Sequence, residues 1–380
     1  MTGGFAVTAG WDLPVEGPSH VHAVVAMAGA AATHAGLTPA DRAGLALIAT
    51  ELATNLARHA RDGRLVATAT EPGPAAWVQL AAVDHGPGIP DVAAAMADGY
   101  STANSLGGGL GACRRAATVF DLWTSATPAR PATSGAGTAI IARIGPGALF
   151  NLSDTPNLSD TANPISPSSP ASPAGPVRVG GILAAQPGEQ ESGDAWGVTW
   201  DAGTITLVIM DGLGHGPDAA KAAANGLHEV IDPIGPTGQD PVALLGRLDR
   251  RLLGGRGAVA AVARLSQDRL TFGGVGNIGA RLGPSGRTHG LVSSMGTLGL
   301  GQRLRPQASV TPWRGSSLFT AHSDGIRSSW DLSRYPGVTG HDPAIMAALI
   351  WRDAATRGDD AAVVIASGRP AAPARTGERA

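Results

Sequence analysis

The chain has 380 residues, 43% hydrophobic and 15% charged, with a net charge of −2. At roughly 150 residues per domain this is material for two domains with apolar cores, and it excludes the apolar-poor, charge-rich class that stays disordered. Lys221 is the only lysine and no basic stripe interleaved with aromatics occurs, so nucleic-acid binding has no electrostatic support.

The single cysteine, Cys113, excludes an internal disulfide and any Cys-based zinc site. Met1–Gly10 lacks a basic start and no apolar run approaches ~18 residues. Neither a signal peptide nor a membrane span is expected, and the chain is assigned to the cytoplasm.

In chain order, a helical stretch covers about Ser19–Ala35. Thr38-Pro39-Ala40-Asp41 has the chemistry of a helix start: a hydroxyl cap, Pro at the first position, an acid in the first turn. Leu45, Leu47, Ile48, Leu52 and Leu56 then carry an amphipathic helix to His59. Strands are expected at Arg64–Thr70, Ala75–Asp84, Val119–Thr124 and Thr138–Ile144, with Gly-rich loops after a strand and before a helix. Residues 1–144 therefore outline an α/β sandwich. Residues 145–176 are dense in Pro, Ser, Asn and Asp, repeat Asn-Leu-Ser-Asp-Thr, and show no periodicity. They read as a flexible linker about 30 Å from end to end.

Beyond it, strand-like runs recur at Gly180–Ala185, Trp196–Trp200, Thr204–Met210, Ala258–Leu265, Arg269–Val275, Ile278–Leu282, Ser317–His322 and Ala361–Ala366. Helices are expected at about Asp218–Ile231, Asp240–Leu253 and Pro343–Trp351. Many short strands and few helices imply an α/β (α+β) fold over 177–367 built as a two-sheet sandwich. Residues 368–380 read as a disordered tail.

Three features of the first half carry chemistry. Glu51 and Asn55 are spaced i, i+4 and share one face of the long helix, presenting a carboxylate and an amide together. Asp84-His85-Gly86-Pro87-Gly88 follows a strand, with Gly where backbone turns or approaches a ligand closely. Leu106-Gly107-Gly108-Gly109-Leu110-Gly111 feeds a helix N-terminus, an arrangement suited to phosphates. Singly, each has a plain alternative: a solvated pair, a β-turn, a glycine-rich connection. His59, His85 and Cys113 read as surface or packing residues.

Taken in order, the three resemble the N, G1 and G2 boxes of the GHKL ATPase superfamily. Gly137-Thr138 is similar to its closing element, and the resemblance covers about Gly10–Ile144. Met96-Ala97-Asp98-Gly99-Tyr100-Ser101-Thr102 narrows it to the RsbT-type switch kinases, small serine/threonine kinases of bacterial stress-signalling complexes. There is no phospho-acceptor His on a dimerising hairpin, which argues against a histidine kinase. The resemblance implies a Bergerat-type sandwich that binds ATP and Mg²⁺. Asn55 would order the Mg²⁺, Asp84 would read the adenine amino group, and Gly86 and Gly88 would shape the base pocket. Gly107, Gly109 and Gly111 would cover the phosphates and Thr138 would line the adenine site. Glu51 would be the base, or the orienting acceptor, for the incoming hydroxyl; phosphoryl transfer needs alignment and charge neutralisation more than covalent chemistry. Ala103-Asn104-Ser105 stands where such kinases usually carry glycines, which implies a stiffer lid.

In the second half, four acids stand at strand ends: Asp194, Asp211 in Asp-Gly-Leu-Gly-His-Gly, Asp324 in Ser-Asp-Gly-Ile, and Asp359 beside Asp360. An acid at the edge of a buried apolar strand is costly unless a charge meets it. Several together make an oxygen-only site suited to Mg²⁺ or Mn²⁺; the alternative is that each is a turn or cap residue. Their order resembles the PPM-type serine/threonine phosphatases of the SpoIIE-like branch. Arg256-Gly257-Ala258-Val259 and Gly274-Val275-Gly276-Asn277-Ile278 are most similar to the compact RsbX-like form. The resemblance implies a PPM-type αββα sandwich with two Mn²⁺ or Mg²⁺ ions. It implies Asp194, Asp211, Asp324 and Asp359 as ligands, with the Gly212 carbonyl as a further one. It prefers Asp359 to Asp360, leaves His215 off the catalytic set, and makes Gly276-Asn277 a structural turn.

The combined expectation is a bifunctional regulator of a bacterial partner-switching pathway. The first half would phosphorylate Ser or Thr on STAS-domain scaffold or antagonist proteins (RsbS/RsbR-like) and the second half would remove that phosphate. A downstream phosphatase, cyclase or sigma-factor regulator forms a further class of partner. The alternative is an ATP-gated anti-sigma or partner-binding module without kinase turnover, fused to an active phosphatase.

Overall fold

The computed structural model describes residues 3–97, 109–125, 135–146, 177–189, 191–201, 203–231, 239–266, 268–284 and 287–368. Most of the expected linker and tail, Gly107, and the lid residues Ala103-Asn104-Ser105 lie outside these.

The first half runs β1 (Gly3–Pro14), α1 (His20–His34), α2 (Pro39–His59), β2 (Arg64–Thr70), β3 (Val78–Asp84), α3 (Val92–Met96), α4 (Gly109–Ala116), β4 (Val119–Ser125) and β5 (Gly137–Ile144). The Thr38 hydroxyl accepts from the Asp41 amide at 3.2 Å, so α2 starts where its cap chemistry says it should. Val24, Ala31, Leu45, Ile48 and Leu52 of α1 and α2 pack on Leu65, Leu80 and Ile140, covering one face of the sheet.

The second half runs β6 (Val177–Ala184), β7 (Asp194–Asp201), β8 (Thr204–Gly212), α5 (Pro217–Ile231), α6 (Pro241–Leu252), β9 (Ala258–Ser266), β10 (Arg269–Val275) and β11 (Gly279–Pro284). It continues with β12 (His289–Leu291), β13 (Ala308–Pro312), β14 (Ser317–His322), α7 (Pro343–Ala354) and β15 (Ala361–Gly368). Leu207, Ile209 and Val259 of one sheet meet Phe319, Ala321 and Val364 of the other. Leu227, Leu245 and Leu248 of α5 and α6 cover the outer face of the first sheet. With α7 outside the second sheet, the layers run helix, sheet, sheet, helix.

The halves are not separate bodies on a tether. β1 pairs antiparallel with β7 through Gly3–Val7 and with β2 through Val7–Pro14, with a register shift between Val7 and Ala9. That bulge lets one strand serve both partners. The result is a single ten-stranded sheet in the order β13-β10-β9-β8-β7-β1-β2-β3-β5-β4, beside a five-stranded sheet β12-β11-β14-β15-β6. Phe5 sits at the seam, 5.5 Å from Trp77 and 5.8 Å from Trp196 between ring centroids.

α7 closes the join. Ile345, Leu349, Ile350 and Trp351 pack on Ile182, Val363 and Ile365 on one side and on Val66, Val83 and Ile141 on the other. Every residue from Pro343 to Arg352 is buried. A helix apolar around its whole circumference belongs between two layers, and here it covers the sheet face that α1 and α2 leave bare.

Candidate functional site

A cavity of about 590 Å³ opens in the first half, and Glu51, Asn55, Asp84, Gly88, Gly109 and Thr138 are all in its wall. This is the size range of small-molecule and cofactor pockets. Glu51 is only 7% exposed, carried inward by the same face of α2 that presents Asn55 to the cavity. The Asp84 carboxylate accepts the Gly86 amide at 2.5 Å. Burial pushes its pKa up, and the Gly86 bond and the nearby Arg352 charge offset part of that rise. Asp84 faces Thr138 across β3 and β5, the Thr138 and Thr124 hydroxyls are 3.2 Å apart, and Thr124 accepts the Ile89 amide at 2.9 Å. Gly88 has φ +78°, a conformation that favours glycine in the turn beneath the pocket.

Two expected residues stand off the wall. Gly86 acts through its bond to Asp84, and Gly111 is buried inside α4 rather than lining the cavity. Cys113 is also buried in α4, its thiol pushed up to about 12 by burial and then by the Glu51 charge, which makes it inert. His85 is half-exposed and packs at the boundary between the halves, its Nε2 2.8 Å from Asp353 Oδ1.

The second site lies at one end of β7 and β8. Asp194 and Asp211 are direct cross-strand neighbours, a juxtaposition of like charges that destabilises a sheet when nothing else is bound. Asp194 is 2% exposed and its Oδ2 is buried with no hydrogen-bond partner. Burial, then the Asp211 charge, hold its pKa far above the usual carboxylate range. Asp211 is pushed up to about 7 by burial and then by Asp324 and Asp359. Asp359 is raised by burial and then by Asp324. Among the described residues these side chains do not close, as they stand, into a group of three or more placed to hold a metal ion. They form a concentration of like charges. The chemistry nevertheless fits a hard divalent cation: an oxygen-only donor set, an orphaned buried carboxylate oxygen, and neighbouring acids that raise one another's pKa.

Backbone packing sets where these acids stand. A Cβ at Gly212 would fall 2.3 Å from the Ala219 carbonyl, and one at Gly325 would fall 1.9 Å from the Asp360 carbonyl, so both Asp-Gly steps are pinned against neighbouring chain. Asp360 accepts the Gln186 and Gly193 amides at 2.8 and 2.7 Å. It is thus a clamp on the loop that carries Asp194, while Asp359 is exposed. Asn277, read as a structural turn, donates to Asp324 Oδ2 at 2.8 Å and orients that carboxylate. His215 pairs with Glu189 at 3.1 Å.

Sequence reasoning missed Arg352, which belongs to the second half yet donates to the carbonyl of Asp84 in the cavity wall. The signal was present as a charged Trp-Arg-Asp at the end of an otherwise apolar helix. A buried charge of that kind needs a partner.

Residues 16–144 match the histidine kinase-like ATPase domain family. The chain is 33% identical over 87 residues to the serine/threonine-protein kinase RsbT of Bacillus subtilis (strain 168), a stretch that is 23% of this chain and 65% of RsbT. It thus spans just under two thirds of that relative's length. Among solved structures, it is similar to a chain from a study of the bacterial stressosome as a modular system adapted to control secondary messenger signalling. That similarity has 30% identity and TM-score 0.45, covering 50% of this chain and 98% of that one. It is also similar to RsbX in complex with magnesium, with 19% identity and TM-score 0.43, covering 50% of this chain and 95% of that one. Among the described residues, no helix is long and apolar enough to cross a membrane.

Proposed function

We propose that the chain is a two-activity regulator of a partner-switching pathway, with a serine/threonine protein kinase in residues 1–144 and a metal-dependent PPM-type phosphoprotein phosphatase in residues 177–367. The observation that carries this reading is the coexistence, in one folded body, of a cavity walled by Glu51, Asn55, Asp84 and Thr138 and an uncompensated acidic site at Asp194 and Asp211. The match of residues 16–144 to an ATPase family supports ATP as the occupant of the cavity.

In the kinase half, Asp84 would accept a hydrogen bond from the adenine amino group, and Asn55 would hold Mg²⁺. Glu51 orients the incoming Ser or Thr hydroxyl and takes its proton as the phosphoryl group moves. Gly109, at the N-terminus of α4, presents backbone N–H to the phosphates. In the phosphatase half, Asp194, Asp211, Asp324, Asp359 and the Gly212 carbonyl would hold Mn²⁺ or Mg²⁺, which supplies a water-derived nucleophile and neutralises phosphoryl charge. Asn277 keeps the Asp324 carboxylate aimed at that site and Asp360 fixes the loop before Asp194. The substrates of both halves are STAS-domain scaffold or antagonist proteins, met by both activities on one chain.

A second reading rests on Ala103-Asn104-Ser105: an ATP-gated module that binds a sigma-factor regulator or similar partner without turnover, joined to a working phosphatase. Glu51→Gln separates the two. The kinase reading expects that variant to bind ATP and to lose phosphorylation of a STAS-domain protein. The binding-module reading expects a stable, ATP-dependent complex that Glu51→Gln leaves intact, and no phosphorylation by the unaltered chain. Removal of phosphate from a phosphorylated STAS-domain protein with Mn²⁺ tests the second half; no release would contradict it.

A further inference from the structure

We propose that Arg352, contributed by the second half, is a positioning residue of the nucleotide site in the first half and sets its preference for adenine. The inference rests on the reading of the cavity as an ATP site.

Arg352 ends the buried run of α7, and its side chain is 1% exposed. Its guanidinium reaches across the boundary and donates from Nη1 to the Asp84 carbonyl at 2.7 Å and to the Ala136 carbonyl at 3.1 Å. Nε and Nη2 are held by the Asp353 carboxylate at 2.7 and 3.0 Å. Asp353 also accepts the Tyr335 hydroxyl at 2.6 Å and lies 2.8 Å from His85 Nε2. The fork is therefore fixed on both sides, and its geometry cannot drift.

The two carbonyls it grips belong to Asp84 itself and to the residue before Gly137-Thr138. Asp84 and Thr138 are register partners in β3 and β5, and both side chains are in the cavity wall. Arg352 thus ties together the two strand ends that present the base-reading carboxylate and the hydroxyl beside it. Gly137 is fitted to this contact. It has φ +121°, and a Cβ there would lie 2.0 Å from the Asp84 carbonyl and 2.8 Å from Arg352 Nη1. A side chain there would force the Asp84 backbone or the guanidinium to move.

Removal of Arg352 leaves two part-buried carbonyls without their charged donor and frees the Asp84 backbone. Among the described residues, the Arg352 guanidinium bonds to Asp353 and to the Asp84 and Ala136 carbonyls, and none of these bonds reaches Gly109 or α4. The loss falls on base recognition, and adenine-over-guanine selectivity is the quantity that reports it.

The test uses the full chain and non-hydrolysable ATP and GTP analogues, with affinities from titration calorimetry. Arg352→Met is expected to lower the ratio of the two affinities by roughly tenfold or more, the scale of a lost charge-assisted hydrogen bond. Arg352→Lys, which keeps one charged donor, is expected to retain part of the ratio. Arg143→Met is the control: it breaks another buried pair across the same boundary, Arg143 to Asp342 at 2.6 Å, away from Asp84. It is expected to lower the melting temperature and leave the ratio unchanged. A ratio as high in Arg352→Met as in the unaltered chain, or an equal fall in Arg143→Met, would overturn the proposal. If the Met variant fails to fold, an unchanged ratio in Arg352→Lys overturns it instead. An unaltered chain that binds neither analogue would overturn the ATP reading, and with it this one.

Discussion

The two sites of this chain solve opposite electrostatic problems. The cavity of the first half is braced by its own contacts: Asp84 is held by Gly86, its backbone is gripped by Arg352, and Glu51 is carried inward on a capped helix. The acidic site of the second half is held in place by backbone packing, yet its charges are unbalanced, with Asp194 facing Asp211 and Asp211 raised to about 7. The first is a shape awaiting a ligand; the second is a charge deficit awaiting one. Ligand removal should therefore matter little to the geometry of the first and much to that of the second.

The largest effect that sharpens this contrast is on activity. Asp211→Asn should lower phosphate release by roughly a hundredfold or more, since it would remove a ligand from the proposed metal set, and should leave nucleotide affinity unchanged. Release measured on a phosphorylated STAS-domain protein, beside calorimetric titration of ATP, checks both. A concurrent loss of ATP binding would break the distinction between the sites. Next in size is Leu349→Ala in α7, a fully buried side chain between the two sheets. It should cost about 2–5 kcal/mol and lower a single calorimetric transition. Two transitions, only one of them shifted, would mean that the halves unfold separately.

Asn277→Ala should raise the Mn²⁺ concentration needed for half-maximal phosphate release by about tenfold, the range for losing a group that orients a metal ligand. An unchanged Mn²⁺ dependence would return Asn277 to a purely structural turn. The smallest effect concerns pH. Burial raises the Asp353 carboxyl, but the His85 and Arg352 hydrogen bonds and the Arg352 charge outweigh it and hold it well below the usual carboxylate range. An acid depressed in the folded state adds stability above its unfolded pKa of about 3.9, and that stability is lost as pH falls toward the folded value. The melting temperature of the unaltered chain should fall more steeply below about pH 4 than that of Asp353→Asn. Parallel curves would remove Asp353 from the boundary's balance.

Local chemistry made the isolated elements legible. Thr38-Pro39 announced α2, and the runs Arg64–Thr70, Arg269–Val275 and Ser317–His322 coincide with β2, β10 and β14 because their apolar patterns end at turn residues. The cavity residues were legible through the order of their motifs. Where a strand depends on distant partners, the pattern says little. β1 has no clean alternation because it serves two neighbours with a bulge between, and β13 is an exposed edge strand ending in Pro312. α7 is buried along its whole apolar run, and nothing local in Pro343–Trp351 named the first-half sheet as one of its covering layers. Arg352 was illegible for the same reason: its partners, Asp84 and Ala136, are more than two hundred residues away. The linker composition at 145–176 left open whether the halves touch, and the pairing of β1 with β7 and the packing of α7 join them.

The central claim is that opposing activities act on one substrate from one body. The measurement that tests it most directly is a time course of label on a STAS-domain protein, with Mg²⁺, Mn²⁺ and labelled ATP, comparing the unaltered chain with Asp324→Asn. The account expects label to rise and fall with the unaltered chain as ATP is consumed, and to accumulate and persist with Asp324→Asn. No label with Asp324→Asn, while ATP is still bound, would contradict it.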